Sequence, residues 1–96
     1  MTTIPKAVWK YPVPIQDQFV IVMAKGAKPL CVQLQKDTPT MWTEVDPYGT
    51  ASNQMFKLLG TGHIRELADT DKYVGTFQLL DGDLVFHLYH CGEQRA

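Results

Sequence analysis

The most constraining feature of this chain is the rhythm of its apolar residues, which recur at a period of two and never at the 3.6 of a helix. Tyr73 to Leu80 and Leu84 to His90 are alternating or β-rich runs separated by Asp81-Gly82-Asp83. Asp-Gly is a preferred pair for the type I′ turn, which requires positive φ at both central positions. The pair therefore predicts a hairpin. Upstream, Ala7, Trp9, Tyr11 and Val13 share one face of a segment interrupted by Pro12 and Pro14, which marks an edge strand or a strand end because proline cannot donate to a ladder. Phe19 to Ala24 is a continuous apolar run that reads as a strand buried on both sides. Leu30, Val32 and Leu34 alternate with Cys31, Gln33 and Gln35, and Met41, Thr43 and Val45 alternate with Trp42 and Glu44. Gln54 to Gly60 is a further strand.

Turn chemistry separates these runs. Lys25 to Pro29, Lys36 to Pro39 and Asp46-Pro47-Tyr48-Gly49 each combine proline, glycine or aspartate at turn positions. The polar stretch on to Asn53 reads as loop. Thr61 to Asp71 is the longest break and has room for only a turn or two of helix around Ile64 to Ala68, too short for an amphipathic core helix. About seven short strands with no long helix predict an all-β fold, a small antiparallel β-sandwich or partly closed barrel. With 96 residues, the chain is one domain, 1–96, with flexible ends expected at 1–6 and 92–96.

Composition narrows the function classes. Nine basic and ten acidic residues give a net charge of −1, which excludes binding driven by a bulk polybasic surface, whether to nucleic acid or to an anionic membrane. The longest apolar run is six residues, against about 20 for a membrane span. The start of the chain lacks the basic and apolar regions of a secretory leader, and the two cysteines, Cys31 and Cys91, fit free thiols of a reducing compartment. The expected location is cytoplasmic.

Few residues have the look of a site. Gly60-Thr61-Gly62-His63 offers two conformationally permissive positions, a hydroxyl and an imidazole, and reads as a small binding loop or a tight turn. It lacks the spacing of a phosphate-binding loop or dinucleotide fingerprint. His87 and His90 point to opposite faces of a strand, and His87 and Cys91 stand about 13 Å apart at about 3.3 Å per residue. Neither pair chelates a metal alone, and no metal or cofactor is expected. The aromatic residues are plentiful, and Trp42, Tyr73 and Phe77 are candidates to stay on an open face as stacking or interface anchors. Trp42, on the side of Glu44, is expected to be more exposed than Trp9. Neither Ser52 nor Thr61 has a sequence neighbour that would activate it, and Asp69 and Asp71 read as solvated turn residues. The chain is read as non-enzymatic. The ligand or interface candidates are Gly60, Thr61, Gly62, His63, Trp42, Tyr73, Phe77 and His87.

Several pieces resemble a family of short, functionally uncharacterised phage and prophage proteins. They are Trp9-Lys-Tyr-Pro-Val-Pro-Ile-Gln-Asp-Gln-Phe, Lys25-Gly-Ala-Lys, Cys31-Val-Gln-Leu-Gln, Val45-Asp-Pro, Gly60-Thr-Gly-His, Tyr73-Val-Gly-Thr-Phe-Gln and Leu84-Val-Phe-His. The chain departs from the pattern at Ile64, where proline is frequent, and at Pro29, where an aliphatic is usual. The resemblance implies a phage-type β-domain acting in the host cytoplasm and brings no catalytic residues with it. The expected function is binding: a counter-defence factor that inhibits a bacterial immune protein or sequesters a small nucleotide signal. The alternative is a structural or assembly accessory of the virion, a homo-oligomer joined through strand edges.

Overall fold

The computed structural model describes residues 2–94. Seven strands follow in order: β1 (Ala7–Pro12), β2 (Gln18–Ala24), β3 (Lys28–Gln35), β4 (Thr38–Val45), β5 (Ala51–Gly60), β6 (Lys72–Leu79) and β7 (Leu84–Glu93). They form two antiparallel sheets, β1-β4-β3 and β2-β5-β7-β6. The fold is a small β-sandwich. The sheets do not close into a barrel, so the sandwich form of the expectation holds.

Strand alternation builds the core. Met41, Thr43 and Val45 of β4 face Phe56 and Leu88 of the other sheet, and all five are fully buried. Phe19 stacks on Phe56 across the β2/β5 pair, with ring centroids 5.5 Å apart. Phe77 and Phe86 form a second inward pair at 5.7 Å. At the corner where β6 approaches β3, a Cβ on Gly75 would lie 2.9 Å from Val32 Cγ1 and 3.3 Å from the Val32 nitrogen. Only glycine lets the two sheets meet this closely.

The structure corrects several local expectations. β2 is an edge strand paired only with β5, and Val20 and Val22 on its outer face are 40% and 60% exposed. An unbroken apolar run does not reveal how many faces are covered. Ala51 to Asn53 is strand, laddered to Val22–Ala24, rather than loop. No helix forms around Ile64 to Ala68. Trp9 is 44% exposed on edge strand β1 whereas Trp42 is half-buried, because Trp42 lies on the central strand between β1 and β3. Of the ends expected to be flexible, Met1, Arg95 and Ala96 lie outside the described residues, and Gly92 and Glu93 are paired to Met55 and Gln54.

Candidate functional site

The connections at one end of the sandwich carry unusual backbone. Gln35 pairs with Thr38, so the β3–β4 turn is only Lys36-Asp37, and both have positive φ, 49° and 65°. The β6–β7 turn has Asp81 at φ 53° and Gly82 at φ 92°. The Asp83 N–H donates to the Leu80 carbonyl at 3.0 Å, which is the type I′ turn that Asp-Gly predicts. Leu80, just before it, is also at positive φ, 52°. For a residue with a Cβ this conformation costs about 1–2 kcal/mol.

These turns surround a cleft of about 670 Å³ lined by Ile15, Leu34, Asp37, Leu80, Asp81 and Leu84, among others. Its leucines and isoleucine are partly open to water, Leu80 most of all at 69% exposed. The only charged lining residues are Asp37 and Asp81. The result is an apolar groove with an acidic rim, which favours a partner segment combining aliphatic and cationic side chains.

Gly60-Thr61-Gly62-His63 lies at the same end. The His63 N–H donates to the Gly60 carbonyl at 3.0 Å, closing a turn whose third residue, Gly62, has φ 86°. The His63 ring folds back over Gly60, where a Cβ would stand 2.8 Å from Nδ1. Beside this turn is a cleft of about 250 Å³ with Asp83 in its wall. That carboxylate opposes a phosphate group there.

Three residues singled out in the sequence come together on the outer face of the larger sheet. Thr61 Oγ1 is 2.7 Å from His87 Nε2, His87 Nδ1 is 2.9 Å from Thr76 Oγ1, and Thr76 Oγ1 is 2.5 Å from the Tyr73 hydroxyl. The register explains the row: Thr76 and His87 are direct cross-strand partners, and Thr61 immediately follows β5. Thr61 therefore does have an imidazole beside it, a neighbour supplied by the fold and invisible in the local sequence. The group that orients His87 is a hydroxyl rather than a carboxylate. A neutral imidazole donates from one nitrogen and accepts at the other, and either hydroxyl matches it. The row is a fixed hydrogen-bonding surface.

The Thr61–Asp71 segment is fastened down. Lys57 Nζ donates to the Glu66 carbonyl and to Asp71 Oδ2, both at 3.1 Å. Asp71 Oδ2 also accepts the Ala68 N–H at 2.9 Å, and Arg65 pairs with Asp17. Asp71, expected to be solvated, has a side chain only 4% exposed. The Ala68 N–H bond, followed by its Lys57 and Cys91 partners, holds its carboxyl below the usual range. Cys91 responds in the opposite sense: burial and then the Asp71 charge push its thiol up to about 11. Cys31 and Cys91 are both free.

The other two candidates stand apart. Phe77 is buried in the core against Phe86 and presents no free face. Trp42 lies in the smaller sheet, opposite Lys10 and Cys31. Among the described residues, no three His, Cys, Asp or Glu side chains converge as a metal site. The sequence reading missed the groove, since Ile15, Leu34, Leu80 and Leu84 lie in four separate places along the chain. Its one local signal was the Leu80-Asp-Gly-Asp turn.

In comparisons with known proteins, the model of one protein family, described as a domain of unknown function (DUF7352), matches residues 4–96. No curated protein and no solved structure matches the chain.

Proposed function

The chain belongs to the DUF7352 family, a domain of unknown function, and for it we propose a binding role without catalysis. It is a phage-type protein that acts in the host cytoplasm by occupying a bacterial immune protein. The observation that carries this reading is the groove between the Lys36-Asp37 and Asp81-Gly82 turns, with exposed Leu80 on its wall and Asp37 and Asp81 at its rim. A side chain held in a costly conformation, exposed to water and bordering a cleft of this size, is a feature of recognition surfaces rather than of packing. The occupant this chemistry fits is an extended aliphatic segment flanked by lysine or arginine.

The test is phage plating on a defended host that expresses the protein. The wild type is expected to restore plating, and Leu80→Asp to abolish restoration while the purified variant keeps its melting temperature. Equal restoration by both proteins would remove the groove from the reading, and no restoration by the wild type on any defended host would remove counter-defence. A virion accessory role is the second reading, favoured by the open β2 edge with its exposed Val20 and Val22. It predicts the protein in purified virions by mass spectrometry and self-association by sedimentation, both reduced by Val22→Lys.

A further inference from the structure

We propose a second site, independent of the groove and at the opposite end of the sandwich: a pocket that binds a small phosphate-bearing anion. The pocket has a volume of about 410 Å³, within the range of about 300–1,000 Å³ typical of small-ligand sites. Lys28 comes from the β2–β3 turn side. Lys72, Tyr73 and His90 come from the paired start of β6 and end of β7.

Charge selects the ligand class. Lys28 and Lys72 are the only fully charged residues of the lining, and no carboxylate is among them. Among the described residues, the ion pairs are Lys57–Asp71 and Arg65–Asp17, so neither pocket lysine is engaged. Glu44 is the cross-strand partner of Lys28 but forms no ion pair with it. Two free ammonium groups facing one concavity favour a compact dianion such as phosphate.

A polar contact is already fixed beside the lysines. Tyr73 turns its ring to the outer face, edge-on to Tyr89 at 5.7 Å with its hydroxyl bonded to Thr76, away from His90, which packs on Phe56 at 4.9 Å. His90 Nε2 is 2.8 Å from Gln54 Oε1, and the Gln54 amide nitrogen donates to Ser52 Oγ at 2.7 Å. That chain makes Nε2 the donor and leaves Nδ1 as an acceptor for a ligand N–H or hydroxyl.

The test is isothermal titration of the purified protein with AMP, GMP, CMP, UMP, pyrophosphate and adenosine at physiological salt. Pyrophosphate or at least one nucleotide is expected to bind saturably, and adenosine not measurably. Lys28→Met and Lys72→Met should each weaken that binding about tenfold, and raised salt should weaken it further. Tyr73→Leu, on the outer face, should leave the binding unchanged. Both lysines are exposed, so these variants should fold, and amide shifts of Gly26, Lys72 and Tyr73 on titrating the wild type provide a mutation-free check. No binding by any nucleotide or pyrophosphate overturns the proposal, as does binding that survives the double lysine variant. Leu80→Asp should leave this binding intact, so the site fails or stands separately from the groove.

Discussion

The two ends of the sandwich are closed by turns of different cost. At the lysine end the residues with positive φ are Gly26 and Gly92, for which the conformation carries no steric penalty. At the groove end lie all four of the described non-glycine residues with positive φ: Lys36, Asp37, Leu80 and Asp81. The lining charges differ as well, with Asp37 and Asp81 at one end and Lys28 and Lys72 at the other. The two clefts thus carry lining charges of opposite sign. Where the backbone is relaxed, the turn serves architecture. Where leucine and lysine occupy conformations suited to glycine, the side chains themselves must account for their presence.

The largest effect is expected at the corner that both ends share. Gly75 sits in β6 between Lys72-Tyr73 of the lysine pocket and Leu79 of the groove, with the Val32 backbone against it. Gly75→Val should destabilise the fold by about 1–3 kcal/mol through overpacking, lowering the midpoint by about 4–8 °C per kcal/mol for a domain of this size. Both binding functions should weaken together as the folded fraction falls. An unchanged urea midpoint would mean that the two sheets do not meet here as described.

The next pair of changes reads the turns directly, and in opposite directions. Gly26→Ala meets no atom within 4 Å, so its effect is conformational alone: a loss of about 1 kcal/mol. Leu80→Gly should gain about 0.5–1 kcal/mol. It relieves a left-handed conformation worth about 1–2 kcal/mol and gives back about 0.5–1 kcal/mol in glycine's unfolded-state entropy. Little burial is lost, since Leu80 is mostly exposed. The same Leu80→Gly protein should restore phage plating less well than wild type. A variant more stable in thermal unfolding and poorer in plating would tie the strain to recognition, whereas a loss of stability would show that Leu80 is structural.

Much of this is legible in the sequence. The period-two alternation around Val32 and Met41 identifies β-strands, Pro12 marks an edge strand or a strand end, and Asp81-Gly82 identifies the type I′ turn, because each depends on residues adjacent in the chain. Legibility failed where the answer depends on a partner from elsewhere. Val20 and Val22 look buried until it is known that β2 pairs only with β5 and that, among the described residues, no second sheet covers its outer face. Thr61 and His87 are 26 positions apart and meet only because β7 lies between β5 and β6. Asp71 looks solvated because Lys57, its main cationic partner, is 14 residues earlier. The Lys36-Asp37 turn carries no glycine or asparagine to announce its positive φ. For site residues the sequence pointed to Thr61, Tyr73 and His87, which do share one surface, and to Phe77, whose inward direction follows from the β6–β7 register.

The smallest expected effect concerns pH, and it too should divide the ends. His90 is held below its ordinary range of about 6.5, first by burial and then by the charge of Lys72. The folded state therefore resists a proton that the unfolded chain accepts. His90 costs the fold nothing above that pH, and stability declines as pH falls below it, until the folded histidine also titrates. For one group the slope cannot exceed about 1.36 kcal/mol per pH unit. Urea midpoints measured from pH 7.5 to 5.5 should fall for the wild type. They should fall less for His90→Gln, which removes the titration, and less for Lys72→Met, which removes one of its two causes. Asp81→Asn at the groove end should leave the slope as it is in the wild type. The Asp71 carboxyl, depressed in the fold, loses its stabilising contribution only at lower pH, as its ordinary value near 3.8 is approached, so the histidine window is separable from it. An Asp81→Asn slope as flat as that of Lys72→Met would show that the pH response belongs to the whole fold and not to the lysine end.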